Sequence, residues 1–136
     1  MIRYLLPLFA LVSSTALAQT TPLDGEWRGR SDGGSCNAPL DYAISVESGI
    51  VDGTAFDTTA KGPVPNPKKS APPPPTPGLW QIHGVAKQGS FTLLALAAVQ
   101  GTERRSGRLN VTVQGDSMTV KESGGCGRTA TLSRGR

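Results

Sequence analysis

The feature that most constrains the fold is a strict alternation of apolar and polar residues in short runs. From Leu40 to Glu47 every second side chain is a large apolar one, and the side chains between them are small or polar. A period of two with one polar face predicts a half-buried antiparallel β-strand. The run from Arg108 to Gln114 repeats the pattern. The chain is therefore expected to consist of strands that each bury one face.

Glycine-rich turn sequences separate about eight such runs, which is typical of a β-sandwich or barrel. The first run is Gly25 to Arg30 and the last is Thr129 to Arg134. The apolar run from Phe91 to Val99 would also fit a short buried helix, but it follows a hairpin turn and is expected to be a strand. Closure removes exposed sheet edges, so we expect an all-β, antiparallel up-and-down barrel of about eight strands. A β-sandwich is the alternative.

Residues 1–18 have the three parts of a secretory signal peptide. Arg3 supplies a positive charge, an apolar run follows, and Ala16-Leu17-Ala18 matches the small-residue cleavage site. The apolar run is well short of the roughly 20 residues that span a bilayer, so no membrane span is expected there or later. Residues 19–136 are then one β-barrel domain in a periplasmic or secreted protein.

The chain contains two cysteines, Cys36 and Cys126. In an exported domain, two cysteines most simply form one disulfide bond. A closed barrel would bring the first strand beside the last, which is compatible with a bond between these residues. Two free thiols are the alternative.

Residues 58–78 differ in composition from the rest of the chain, since they contain eight prolines, five of them between Pro72 and Pro77, and no aromatic residue. Proline cannot donate a hydrogen bond to a sheet, and consecutive prolines favour an extended polyproline helix. We expect a flexible, proline-rich surface loop between two strands. The alternative is a docking segment for a partner that recognises proline.

Candidates for catalysis are few. His83 is the only histidine, and no carboxylate or nucleophile stands at a spacing that identifies it as a general base. We expect an ordinary surface histidine, and for Asp52 and Asp57 hydrogen bonding in turns. One histidine and two paired cysteines make a zinc site improbable. The prediction is a protein that is not an enzyme and uses no metal or cofactor.

The charge balance is mildly positive, with 14 Lys+Arg against 10 Asp+Glu. This is not the dense basic clustering of a nucleic-acid-binding protein. The sharpest cluster is Arg104, Arg105 and Arg108, and we expect it at a solvated turn over residues 100–107. The alternative is a contact with an acidic partner, such as a phosphate-rich envelope surface. We expect a monomer that binds no nucleic acid.

The two ends of the domain resemble those of a known barrel family. Gly25-Glu26-Trp27 on the first strand and Arg134 on the last are similar to the Gly-x-Trp and the arginine of the calycins, which include lipocalins and avidins. The resemblance implies that Arg134 packs across Trp27, by cation–π attraction, as a structural clasp beside the disulfide. The order of motifs also resembles a group of uncharacterised small secreted proteins of proteobacteria, which brings no known activity with it.

These expectations favour an exported, non-enzymatic binding module for an unidentified small apolar ligand or envelope protein. If the barrel interior is open, a cavity is expected beneath Trp27, Tyr42 and Trp80. In size and export the chain also resembles periplasmic inhibitors of bacterial metalloproteases, so a protease inhibitor is the alternative. It would act through residues 19–24 or the proline-rich loop. A hydrolase that uses His83 is the least favoured function.

Overall fold

A computed structural model describes residues 22–61, 77–98 and 104–135. The described residues form eight strands, with a short 3₁₀ helix at Gly34–Cys36 after the first. The strands are β1 (Gly25–Arg30), β2 (Leu40–Glu47), β3 (Ile50–Asp57), β4 (Leu79–Val85), β5 (Ser90–Ala98), β6 (Arg104–Gln114), β7 (Ser117–Glu122) and β8 (Thr129–Arg134). The proposed signal peptide and most of the proline-rich loop lie outside the described residues.

Each strand pairs antiparallel with the next one, and β8 pairs with β1 to close the barrel. The prediction of an eight-stranded up-and-down barrel is confirmed, and the sandwich alternative is excluded. The apolar run that begins at Phe91 is a strand, β5, as predicted.

The seam between β1 and β8 closes the barrel and is short. Trp27 is opposite Arg134, Arg28 is opposite Ser133, and an isolated bridge joins Ser31 to Ala130. Gly29 faces inward within this seam, and a Cβ atom there would overlap the carbonyl oxygen of Thr131 and the side chain of Leu132. A glycine at position 29 therefore lets the first and last strands approach closely.

The up-and-down order gives the barrel two different ends. The hairpins β2–β3, β4–β5 and β6–β7 lie at one end, together with the start of β1 and the end of β8. We call this the closed end. The strand ends that flank the other four connections, residues 31–39, 58–78, 99–103 and 123–128, lie at the opposite end, which we call the mouth.

The hairpin between β2 and β3 shows how the sequence sets the register at the closed end. Its two turn residues, Ser48 and Gly49, have φ of 50° and 81°. Two positive φ values are the requirement of the tight turn that matches strand twist, and glycine adopts them without strain. The Asp24 carboxylate accepts hydrogen bonds from both turn N–H groups, at 3.0 and 3.3 Å. The chain just before β1 is thereby fixed to this hairpin.

Large side chains fill the interior toward the closed end. They include fully buried residues from β1, β2, β7 and β8, namely Trp27, Ile44, Met118 and Leu132. The indole N–H of Trp27 donates to the carbonyl of Leu23 at 3.0 Å. Burial of these side chains contributes to the hydrophobic stabilisation of the fold.

The predicted disulfide is confirmed. Cys36 and Cys126 are bonded, with their Cα atoms 5.3 Å apart, and the residues that the structure describes include no free cysteine. The bond joins the β1–β2 connection to the β7–β8 connection at the mouth. The backbone N–H of Ser35 also donates to the Cys126 carbonyl at 2.9 Å. The disulfide therefore lies at the opposite end of the barrel from Trp27 and Arg134, and not beside them as expected.

Candidate ligand cavity at the barrel mouth

A cavity of about 550 Å³ opens at the mouth of the barrel. Its apolar wall comes from β2 to β6 and is formed by Leu40, Ala55, Trp80, Ile82, Ala95 and Leu109. Its volume lies within the range of about 300–1,000 Å³ that is common for small-molecule sites. The interior is thus filled toward one end and open toward the other.

The cavity exists because inward positions near the mouth carry very small residues. Ile82, Ala95 and Gly107 are register neighbours on β4, β5 and β6, and Ala55 is opposite Trp80. A Cβ atom on Gly107 would meet no other atom within 4 Å. The small residues Ala55, Ala95 and Gly107 leave space near the mouth, whereas large side chains fill the interior at the closed end.

A buried ion pair forms part of the cavity wall. The guanidinium of Arg128 donates to Glu122 at 2.8 Å, and the backbone N–H of Arg128 donates to the same carboxylate at 3.0 Å. The two side chains are only 8% and 15% exposed. Because each charge compensates the other, this part of the wall is polar but carries no net charge.

Tyr42 lines the cavity from β2 and is 4% exposed. Burial is the main cause that raises its pKa to about 12, and the charge of Glu122 adds to the effect while Arg128 opposes it. Tyr42 is therefore a protonated, neutral phenol near neutral pH. Within the described parts of the chain its hydroxyl makes no hydrogen bond, whereas a buried tyrosine usually has a partner. The hydroxyl is available to a polar atom of a ligand.

Arginines line the β6 side of the mouth. Arg105 occupies an inward position opposite Ala97, whereas Arg108 is on the outer face of β6, opposite the exposed Leu94, and borders the cavity from there. Neither side chain forms an ion pair or a hydrogen bond with any residue in 22–61, 77–98 or 104–135. The expected turn was wrong for residues 104–107, since β6 begins at Arg104 and includes Gly107. The side chains of Arg105 and Arg108 are exposed, as expected. The β-strand geometry turns Arg105 toward the cavity.

Asp57, at the end of β3, is the second acidic residue after Glu122 that the described residues contribute to the cavity lining. Its carboxylate accepts hydrogen bonds from the hydroxyl of Thr59 at 2.6 Å and from the backbone N–H of Thr59 at 2.9 Å. The hydroxyl bond is the largest cause that lowers the pKa of Asp57. The role predicted for Asp57, hydrogen bonding in a turn, is the one it has.

The proposed clasp residues are in contact at the closed end. The guanidinium carbon of Arg134 lies 4.5 Å from the centre of the Trp27 ring, and the Arg134 Nε lies 3.4 Å from Asp116. Neither Trp27 nor Arg134 borders the cavity. Of the three aromatic residues expected around an open interior, Tyr42 and Trp80 line it and Trp27 does not.

His83 lies on the outside of the barrel, half exposed, with its Nδ1 3.3 Å from the carboxylate of Asp52. Asp52 is therefore a mid-strand partner of the histidine and not a turn residue as expected. The register places Asp52 between Ser45 and His83. In a hydrolytic Ser-His-Asp triad the histidine lies between the other two residues. Here the aspartate is in the middle, so Ser45, Asp52 and His83 do not form such a triad.

Two cavity residues, Glu122 and Arg128, were missed by sequence reasoning. The sequence does contain a signal for them. Glu122 follows the inward-facing Met118 and Val120 at the same spacing of two, and Arg128 precedes the inward-facing Ala130 and Leu132 at that spacing. A charged residue in that position predicts a buried pair. The Asp52–His83 contact could not be found in this way, because the long connection between β3 and β4 does not set their register.

Among the described residues, no group of three or more His, Cys, Asp or Glu side chains could hold a metal ion. The same residues contain no helix that is long and apolar enough to cross a membrane.

Comparisons with known proteins return no match. No protein-family model matches the chain, and neither a curated protein nor a solved structure is significantly similar to it.

Proposed function

We propose that this chain is an exported, non-enzymatic binding protein that takes a small apolar ligand into the barrel mouth. The observation that carries the proposal is the cavity of about 550 Å³, whose apolar wall includes Trp80, Ile82 and Leu109. A concave, largely apolar site with a few polar groups is the usual form of a small-molecule site. The polar groups include Tyr42 and the Glu122–Arg128 pair.

A periplasmic or secreted location is part of the proposal. The signal-like residues 1–18 and the Cys36–Cys126 bond support it, because disulfides persist in oxidising compartments. A relationship to the calycins is also part of it. The placement of Arg134 over Trp27 at the β1–β8 seam supports that relationship.

The test is a fluorescence titration of the purified, oxidised protein with N-phenyl-1-naphthylamine, a neutral apolar dye. We expect saturable binding at one site. Gly107→Phe should weaken it at least about fivefold, because the new ring would occupy the open space beside Ala95. Thr119→Phe adds the same ring at an exposed position of β7 and should leave the affinity unchanged.

Absence of saturable dye binding would overturn the proposal. So would equal affinities of the wild-type protein and the Gly107→Phe variant, since the dye would then lie elsewhere.

A further inference from the structure

The charged groups around the cavity are unevenly distributed. The Glu122–Arg128 pair is internally neutral. Asp57 is hydrogen-bonded to Thr59 but keeps its negative charge, and it lies on β3, away from β6. The side chains of Arg105 and Arg108 have no partner among the described residues. The β6 side of the mouth therefore presents two positive charges that form no ion pair with the described residues, next to an apolar wall.

The cavity also offers a neutral donor deeper inside. Tyr42 lies on β2, across the barrel from β6, and its hydroxyl is protonated near neutral pH because burial raises its pKa to about 12. An oxygen atom of a ligand could accept from this hydroxyl.

We infer that the ligand is an amphiphile with one anionic group, a carboxylate, sulfonate or phosphate. Its apolar part lies against Trp80 and Ile82, and its anionic group lies between Arg105 and Arg108 at the rim. This inference rests on the proposed function and names the class of ligand for the same cavity. Arginine suits it because its guanidinium stays charged and can donate two parallel hydrogen bonds to such an anion.

A cationic amphiphile fits less well. Among the described residues that line the cavity it would meet two unpaired arginines, Arg105 and Arg108, against one carboxylate outside the Glu122–Arg128 pair, that of Asp57. A wholly neutral ligand would leave the arginines uninvolved. The order of affinity expected from the structure is therefore anionic, then neutral, then cationic.

The experiment compares two dyes that share one apolar skeleton. They are 1-anilinonaphthalene-8-sulfonate, which is anionic, and N-phenyl-1-naphthylamine, which is neutral. We expect the anionic dye to bind more tightly at low salt. Arg105→Gln and Arg108→Gln should each weaken it about three- to fivefold, as expected for an exposed charge contact. The neutral dye should lose less affinity than the anionic dye in both variants, so that the preference for the anionic dye falls.

Two controls locate the effect at the mouth. Arg28→Gln and Lys121→Gln remove exposed charges from the outer faces of β1 and β7 and should not change either affinity. Added salt should weaken only the anionic dye, because exposed charges are screened.

The outcomes separate the two proposals. If the neutral dye binds in the cavity but the anionic dye does not bind more tightly, the inference is wrong and the proposed function stands. The same holds if Arg105→Gln and Arg108→Gln do not reduce the protein's preference for the anionic dye. If the Arg28→Gln control weakens the anionic dye as much as they do, the inference is also wrong. If neither dye binds, both proposals fail.

Discussion

Arg134 covers the ring of Trp27, with its guanidinium carbon 4.5 Å from the ring centre, at the point where the last strand meets the first. Trp27 is fully buried, so the arginine shields a core residue that the short seam would otherwise leave at the edge. The contact combines cation–π attraction with packing of the arginine stem.

Arg134→Ala should lower the free energy of unfolding by about 1–2 kcal/mol, since it removes both contributions. Urea unfolding followed by Trp fluorescence measures the loss. Arg28→Ala, which truncates an exposed arginine on β1, is the control and should change the stability by less than about 0.5 kcal/mol. Equal effects of the two substitutions would contradict a specific role for Arg134.

Gly29 and Gly107 both face the interior but should respond differently to the same substitution. Gly29→Ala places a methyl group against the Thr131 carbonyl and should destabilise the barrel by about 1–3 kcal/mol or more. Gly107→Ala adds a methyl group to open space and should be neutral or stabilising by up to about 1 kcal/mol. Thermal unfolding of both variants checks the contrast. If Gly107→Ala lowers the stability as much as Gly29→Ala does, the prediction is wrong.

Glu122→Gln should be strongly destabilising, by about 3–5 kcal/mol, because it leaves the charge of Arg128 buried without its counterion. The double variant Glu122→Gln/Arg128→Met removes that charge as well and should recover part of the loss. Denaturant unfolding of the two single variants and the double variant gives the coupling energy. Strictly additive losses would show that the residues do not interact.

Stability should fall at high pH because of Tyr42. Its pKa is raised to about 12 in the folded protein, against about 10 in an unfolded chain. The folded state then holds the proton more tightly, so the contribution is complete below pH 10 and is lost as the pH rises toward 12. Tyr42→Phe should remove the part of this fall in the free energy of unfolding that comes from ionisation of the Tyr42 hydroxyl.

Tyr4 is the only other tyrosine and lies within residues 1–18, so absorbance at 295 nm of protein that begins at Gln19 reports Tyr42 alone. Titration with a midpoint near 10 in the folded protein would contradict the prediction.

Loss of the disulfide should be costly. Cys36 and Cys126 are 90 residues apart, and the chain-entropy model gives an upper figure of about 4–5 kcal/mol for a loop of that length. The Cys36→Ser/Cys126→Ser variant should unfold at a lower urea concentration than the oxidised protein. A reductant should bring the wild-type protein to the level of the variant and leave the variant unchanged. If the oxidised protein and the variant unfold together, the bond does not stabilise the fold.

Much of the fold could be predicted from the sequence because the strands carry local signals. The alternation around Tyr42 and the glycine turns specify each strand, and two cysteines allow only one intramolecular pair. The position of the disulfide relative to Trp27 could not be predicted in the same way. The position depends on which connections lie at the same end of the barrel. Because β1 and β8 are neighbours at both ends of the seam, their pairing alone does not show at which end the disulfide lies.

The cavity was less predictable than the strands. Ala55, Ala95 and Gly107 are separated along the chain and become one surface only after the register of β3 to β6 is set. In the sequence each is an ordinary small residue. The β3–β4 register in particular follows from tertiary packing, because the connection of residues 58–78 does not constrain it.

The start of β1 and the end of β8 lie at the closed end, where the backbone N–H of Gly135 donates to the carbonyl of Glu26 at 2.7 Å. A carrier protein, a label or a solid support attached to either side of residues 22–135 would therefore be held away from the mouth. Immobilised in this way, the barrel would present its cavity outward. This orientation suits ligand screening on a surface, because the link to the support would not block the cavity.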